Sequence, residues 1–180
     1  MADRYRTSAP APPFTGFLPV TGDAPRVLIL GSFPGVQSLR HSEYYGNPQN
    51  HFWKIMESLF AIDHLLPYRD RIEYLTGHHI ALWDVVQSCT RRGSADGEIR
   101  EPVFNDIGGF FTAHPTVRLI VLNGTAAGRY YRRMNMPPSI ENRILPSTSP
   151  ANTRYTLPEK VGAWEIVRTN SEREKGSSLF

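Results

Sequence analysis

Several short stretches of this chain carry residues suited to holding a planar heterocycle. Gly31-Ser32-Phe33-Pro34-Gly35 follows an apolar run, Tyr44 and Tyr45 come next, and Asn47-Pro48-Gln49-Asn50 follows them. Asn123-Gly124 ends a second apolar run, and Ser147-Thr148-Ser149-Pro150-Ala151-Asn152 lies further on. An Asn amide sets a donor beside an acceptor, which matches a ring edge carrying N–H next to C=O. Aromatic rings stack on such a ring, each contributing roughly 1–3 kcal/mol when it is a nucleic-acid base. Hydroxyls and backbone N–H groups grip phosphates, and Arg91 with Arg92 supplies guanidinium forks for the same task. Other chemistries lack their residues. Position 33 holds Phe where a serine-hydrolase elbow would hold Ser, and no phosphate-binding G-x-x-x-x-G-K-[ST] run exists. His78-His79 are adjacent, which is not a metal-ligand spacing, so no metal is expected.

Each candidate also has a plainer reading. Asn47 before Pro48 has the signature of a helix N-cap, and Asn50 lies off the apolar stripe of that helix. Tyr45 reads as a stacking ring or a core aromatic, and Tyr44 as a structural one. Phe33 either faces a ligand or plugs its loop. Asn123 either touches a ligand or water or makes a turn with Gly124. Asp84 is expected to pair with a nearby Arg. Residues 147–150 read as a binding loop or a proline-flanked turn, and Arg91 and Arg92 as phosphate contacts or solvated loop residues.

These residues must be carried by regular elements. Residues 27–30, 80–86, 119–122 and 142–145 read as strands, the first and third apolar throughout and so buried on both faces. A helix is expected from Asn47, with Phe52, Ile55, Met56, Leu59 and Phe60 on one face. Further helices are expected over 104–113, 125–133 and 158–167, with a loop over 89–99. Strands alternating with helices imply a three-layer α/β/α fold around a central, mainly parallel four-stranded sheet. Ligands bind such sheets beyond the carboxyl ends of the strands. The unusual segments all follow strands, so they should meet on one rim.

The 180 residues suggest one domain over 25–169, with an arm over 1–24 and a tail over 170–180. Pro10, Pro12, Pro13 and Pro19 argue against regular structure in the arm, from which Phe14, Phe17 and Leu18 could dock on the core. The net charge of +3 permits a polyanionic partner without demanding one. A single cysteine, Cys89, rules out an internal disulfide and a cysteine-only cluster, which fits a reducing compartment. No apolar run reaches the roughly 20 residues that span a bilayer. A cytoplasmic monomer with no cofactor and no membrane partner is expected.

Over roughly residues 26–152 the chain resembles the uracil-DNA glycosylase superfamily, and within it the hypoxanthine-DNA (deoxyinosine) glycosylases. GSFPG stands at the place of G-x-N-P-G in the mismatch-specific members. YYGNPQNHFW is similar to their aromatic-x-x-P-x-N-x-F-W segment, and LWDVVQSCTRRGSADGEI to a segment of the hypoxanthine type. LPSTSPAN takes the place of the loop that penetrates DNA. The resemblance implies a monofunctional glycosylase that flips a deaminated base, hypoxanthine first, from double-stranded DNA and hydrolyses its glycosidic bond. Uracil or mismatch activity, and a non-catalytic damage-binding module, are the alternatives. Phe33 stands where most members place a water-positioning Asp or Asn, and the second motif lacks its usual His. The resemblance implies that Asn50 takes the catalytic role. Phe33, Tyr45 and Asn123 would then face the base, and Arg91, Arg92, Ser147, Thr148, Ser149 and Pro150 the DNA.

Overall fold

The computed structural model describes residues 13–91, 93, 95–134, 136 and 140–173. Strands β2 (Val27–Gly31), β3 (Ile80–Asp84), β6 (Leu119–Asn123) and β7 (Glu141–Leu145) form a sheet in the order β3-β2-β6-β7, parallel throughout. Every residue of β2 is buried, as its continuous apolar run requires of a central strand. Val27 and Ile29 join one core layer with Ile80, Leu82, Leu119 and Val121. That layer is covered by α2 (Phe52–Phe60), α3 (Tyr68–Gly77) and α6 (Leu157–Glu172). Leu28, Leu30, Ile120 and Leu122 face the opposite layer, with α4 (Ile107–Ala113) and α5 (Thr125–Arg132). Each such side chain contributes roughly 1.5–3 kcal/mol on leaving water. The expected three-layer fold is therefore present.

Register places the strand ends level. Gly31 pairs with Asp84, and Asn123 with Leu145. The chain leaves β2 toward β3 on one side, whereas β6 pairs with β2 on the other. The order reverses between β2 and β6, and a crevice opens there beyond the strand ends. The GSFPG segment and Asn123-Gly124 border it.

Several expected boundaries differ. The strand expected over 80–86 ends at Asp84, where the chain turns; Val85 N–H donates to Gly31 C=O at 2.9 Å. Val86–Thr90 then forms β4 of a second, antiparallel sheet in the order β1-β4-β5, with β1 Phe14–Thr15 and β5 Arg100–Phe104. Register shifts on either side of Ser88 break its alternation, so its end, Cys89 and Thr90, reads as part of the 89–99 loop in sequence. A short 3-10 turn, Asp96–Glu98, precedes β5. Phe104 ends that strand, and α4 starts at Ile107, where the Asp106 side chain accepts from Gly109 N–H. The part of the arm from residue 13 on is knitted into the domain through β1 and a Val20–Leu82 bridge. Phe17 meets Tyr44 edge-on at 5.2 Å, but Leu18 stays 85% exposed.

The last helix extends past the expected end at 167 and past the boundary at 169. Ser171 is buried, and Arg26 and Arg118 donate to the carbonyls of Ser171 and Asn170. Its start has a capping box between Thr156 and Glu159. The helix expected with Asn47 as N-cap and Pro48 as its first residue begins four residues later, at Phe52, with His51 as N-cap. Helices α1 (Val36–His41) and α3 had no counterpart in the sequence reading.

Candidate active site

A pocket of about 330 Å³ occupies the crevice at the strand ends. Phe33, Tyr45, Asn50, Asn123, Ser147, Thr148, Ser149 and Pro150 all line it, so most of the sequence-derived site residues converge on one place. Arg91 does not line it, and Arg92 lies outside the described residues. Gly31, Asp84, Ala95 and Asp96 complete its inner wall.

The segment before α2 is built from local turns. Asn47 Oδ1 accepts from Gln49 N–H at 2.9 Å, and Asn50 N–H donates to Asn47 C=O at 2.8 Å. Asn50 Oδ1 then accepts from Phe52 N–H at 2.9 Å. Asn50, and not Asn47, therefore satisfies an open donor of the helix start. An amide oxygen has two lone pairs, so one remains, with both Nδ2 hydrogens, for a ligand or a water.

Tyr45 stacks on Phe52 with ring centres 3.9 Å apart and planes 18° apart. Its φ is +56°, a genuine outlier for a bulky residue. Such strain persists only where surroundings impose it, which here is the Phe52 stack under the pocket wall. The Tyr45 hydroxyl is sealed from solvent and makes no hydrogen bond of normal geometry. Burial raises its pKa most, the Asp84 charge adds to this, and the Asn123 amide partly offsets it. Tyr44 is structural: it is buried and its hydroxyl donates to Leu18 C=O at 3.2 Å.

Asn123 is committed within the protein. Its Nδ2 donates to Thr148 Oγ1 and its Oδ1 accepts from Thr148 N–H, both at 2.9 Å. This pair fastens the 147–152 loop to the end of β6. Thr148 is fully buried, so its side chain offers nothing to a DNA surface. The rest of the loop is bound to itself. Ser147 Oγ accepts from Ser149 N–H at 3.2 Å, and Asn152 Nδ2 donates to Ser147 C=O at 2.9 Å. Buried Lys160 on α6 donates to Asn152 C=O at 3.1 Å and contacts His51 Nδ1 at 3.3 Å. Burial lowers the pKa of both partners, and for His51 the charges of Lys160 and Lys54 add to the effect. Gly124, at φ +91°, lies where a Cβ would come within 2.7 Å of Ser147 Cβ, so this approach requires glycine. Pro150 and Ala151 form an exposed tip on this braced loop.

Arg91 is not a solvated loop residue, the plainer of its two sequence readings. It is buried, donates to Pro34 C=O, and lies 4.9 Å from the Phe33 ring centre. It therefore braces the GSFPG loop from behind. Phe33 is itself buried between Arg91 and the pocket. Ser32 Oγ donates to Asp96 Oδ1, which ties the same loop to the 3-10 turn.

Asp84 is the residue whose weight the sequence reading missed. It is only 4% exposed and makes no ion pair with Arg91 or any other described cation. Its Oδ2 is buried without a hydrogen-bond partner. Burial, reinforced by the Asp96 charge and opposed by Arg91, pushes its pKa up to about 8. A lone carboxylate inside the apolar run Ile80-Ala81-Leu82-Trp83-Asp84-Val85-Val86 was the available signal.

A small, half-enclosed pocket at the switch point of a parallel sheet, walled by aromatic rings and amides and flanked by a braced loop, defines a binder of a flat, hydrogen-bonding ligand the size of a nucleobase. The sequence profile of the Uracil DNA glycosylase superfamily matches residues 18–169, and the chain belongs to this family. It is 36% identical over 154 residues to a protein of Methanosarcina acetivorans named Hypoxanthine DNA glycosylase, covering 84% of this chain and 96% of that one. A protein of Methanosarcina barkeri with the same name is 35% identical over 154 residues, covering 85% and 97%. The solution NMR structure of a candidate uracil DNA glycosylase from Methanosarcina acetivorans superposes with a TM-score of 0.76 at 34% identity, covering 89% of this chain and 99% of that one.

Proposed function

We propose that this protein is a monofunctional DNA glycosylase that releases a deaminated base, hypoxanthine first, from double-stranded DNA. The observation that carries the reading is the pocket itself. It brings Phe33, Tyr45, Asn50 and Asp84 together under the braced 147–152 loop, in a member of this family. The two Methanosarcina relatives named for hypoxanthine support the choice of base.

The loop tip at Pro150-Ala151 presses into the minor groove and partly unstacks the duplex, and the lesion rotates into the pocket. Tyr45, fixed by its stack on Phe52, offers a ring to the base. Asn50 reaches the base or the attacking water with its free Nδ2 hydrogens and the remaining lone pair. The C–N bond breaks with its electron pair on the base, and water adds to the oxocarbenium-like sugar. The lever is the stabilisation of charge on the departing base by donors already in place. Asn50 lies at the N-terminal end of α2, where the helix dipole favours that charge.

Duplexes carrying hypoxanthine, uracil, a thymine mismatch or xanthine test the reading, with abasic sites scored by alkali cleavage. Cleavage at hypoxanthine, retained in EDTA, is expected. Cleavage at uracil with none at hypoxanthine would assign the protein to the uracil-directed members. The absence of cleavage at any lesion, with binding retained, would make it a damage-binding module.

A further inference from the structure

Most polar side chains around the pocket are committed before a base arrives. Thr148 closes the Asn123 amide on both sides. Asn47 Oδ1 accepts from Gln49 N–H, Ser38 Oγ accepts from Gly46 N–H, and Ser147 Oγ accepts from Ser149 N–H. Ser32 Oγ is turned to Asp96. Asp84 and the Tyr45 hydroxyl differ, because both line the pocket and each has a buried oxygen that nothing in the protein satisfies; of the two, only the Asp84 carboxyl can set a donor directly beside an acceptor. A buried polar atom left unpaired is costly, and at a ligand site the ligand is the natural partner.

We propose that the Asp84 carboxyl reads the N–H/C=O edge of the flipped base, one oxygen donating and the other accepting. The proposal rests on the reading of the pocket as a deaminated-base site. An ionised carboxylate only accepts, so it would satisfy the base N–H and repel the C=O beside it. A protonated carboxyl sets a donor next to an acceptor and complements both. Hypoxanthine and uracil share that edge. Asn123, the sequence candidate for the same task, already holds Thr148 with both its amide oxygen and its amide nitrogen, which leaves it one lone pair and one hydrogen and fixes their direction.

The surroundings favour the protonated form. The groups facing Asp84 are the Asp96 carboxylate from the 3-10 turn, Arg91 after β4, and the Tyr44 and Tyr45 hydroxyls from the segment before α2. Gly31 of β2 adds no side chain. Burial and Asp96 together outweigh Arg91, and the pKa stands near 8. The backbone holds the group in place. Asn105 Nδ2 donates to Asp84 C=O at 2.8 Å, and a Cβ at Gly31 would overlap Asp84 Oδ1.

The test compares wild type, Asp84→Asn and Asp84→Leu in single-turnover release from a deoxyinosine duplex between pH 6 and 9.5. Asn offers the same donor and acceptor without titrating; Leu offers neither. Asp84→Leu should lose roughly 10²–10³-fold, as when an oriented donor is removed, and Asp84→Asn should restore most of it. Wild-type activity should fall about tenfold per pH unit above a pKa of about 8, so the Asn-to-wild-type ratio should rise about tenfold between pH 7 and 9. Ionisation of the base itself affects both proteins alike and cancels in that ratio. A flat ratio, a fully active Asp84→Leu, or a folded Asp84→Asn as inactive as Asp84→Leu would each overturn the proposal. If Asp84→Leu does not fold, the ratio decides alone. A wild-type protein that releases no deaminated base would instead sink the functional reading beneath it.

Discussion

Replacing Asn50 by alanine removes two things at once, and the structure separates their sizes. The first is the hydrogen bond from Phe52 N–H to Oδ1, which satisfies an open donor at the start of α2. Losing such a contact costs on the order of 1 kcal/mol. In a domain of this size that lowers the melting temperature by about 2–4 °C. The second is the amide facing the pocket. If it stabilises the transition state as other oriented donors do, its loss slows single-turnover release by roughly 10²–10³, or about 2.7–4 kcal/mol. Asn50→Asp divides the amide further. A carboxylate keeps an oxygen for Phe52 N–H and for a water, but lacks the Nδ2 donor. If Asn50 orients water through its oxygen, the Asn50→Asp variant should retain much of the rate. If Asn50 donates to the departing base, that variant should be as slow as Asn50→Ala, because a carboxylate also repels charge on the base. Asn47→Ala breaks only the local turn to Gln49 and should change both quantities less. The assay is thermal melting with single-turnover release, run on all three variants. An Asn50→Ala protein that melts lower yet cleaves at the wild-type rate would refute the catalytic assignment and leave Asn50 a helix cap.

Other outcomes follow from the same geometry. Replacing Ser149-Pro150 by Gly-Gly should reduce activity on a paired lesion more than on single-stranded substrate, because only the duplex needs unpairing, which costs a few kcal/mol; equal losses would argue against a wedge. Asn123→Ala should destabilise the protein by roughly 1–3 kcal/mol, since it leaves the buried Thr148 N–H unpaired, and should weaken DNA binding more than the saturated rate. A loss confined to the saturated rate would return Asn123 to the base. Asp84 also makes stability depend on pH. The unfolded chain gives up this proton near 3.9, whereas the folded protein holds it to about 8. The stability it contributes is therefore complete below about 4 and lost as pH rises toward 8. The melting temperature of Asp84→Asn relative to wild type should climb across that window and level off above it. A constant difference would mean that Asp84 is ionised at neutral pH.

The parts of the fold legible in sequence were those set by burial on both faces. Val27 to Leu30 and Leu119 to Leu122 are apolar at every position, because strands between two helical layers have no solvent side. Level strand ends then bring together loops distant in sequence, which is why Phe33, Tyr45, Asn50, Asn123 and residues 147–150 share a pocket. Partnership was not legible. The Asn47-Pro48 pair has every mark of a helix start, yet that turn precedes the helix and the capping contact falls to Asn50. Asn123 looked like a free amide because Thr148, its partner, lies 25 positions away. Arg91 and Asp84 read as an exposed cation and a local ion pair. In the fold Arg91 is buried against Pro34 and Phe33 and Asp84 against Gly31, with no ion pair between them. The antiparallel sheet was hidden because its strands are short, bulged and half exposed.

The central claim is that this pocket breaks one glycosidic bond and leaves the DNA chain intact. Mass spectrometry of the products from a duplex with a single deoxyinosine tests it most directly, before any alkali treatment. Free hypoxanthine and an unbroken strand bearing one abasic site, in equal amounts, are the predicted products. Free nucleoside, a broken strand, or no released base from a folded protein would contradict the claim.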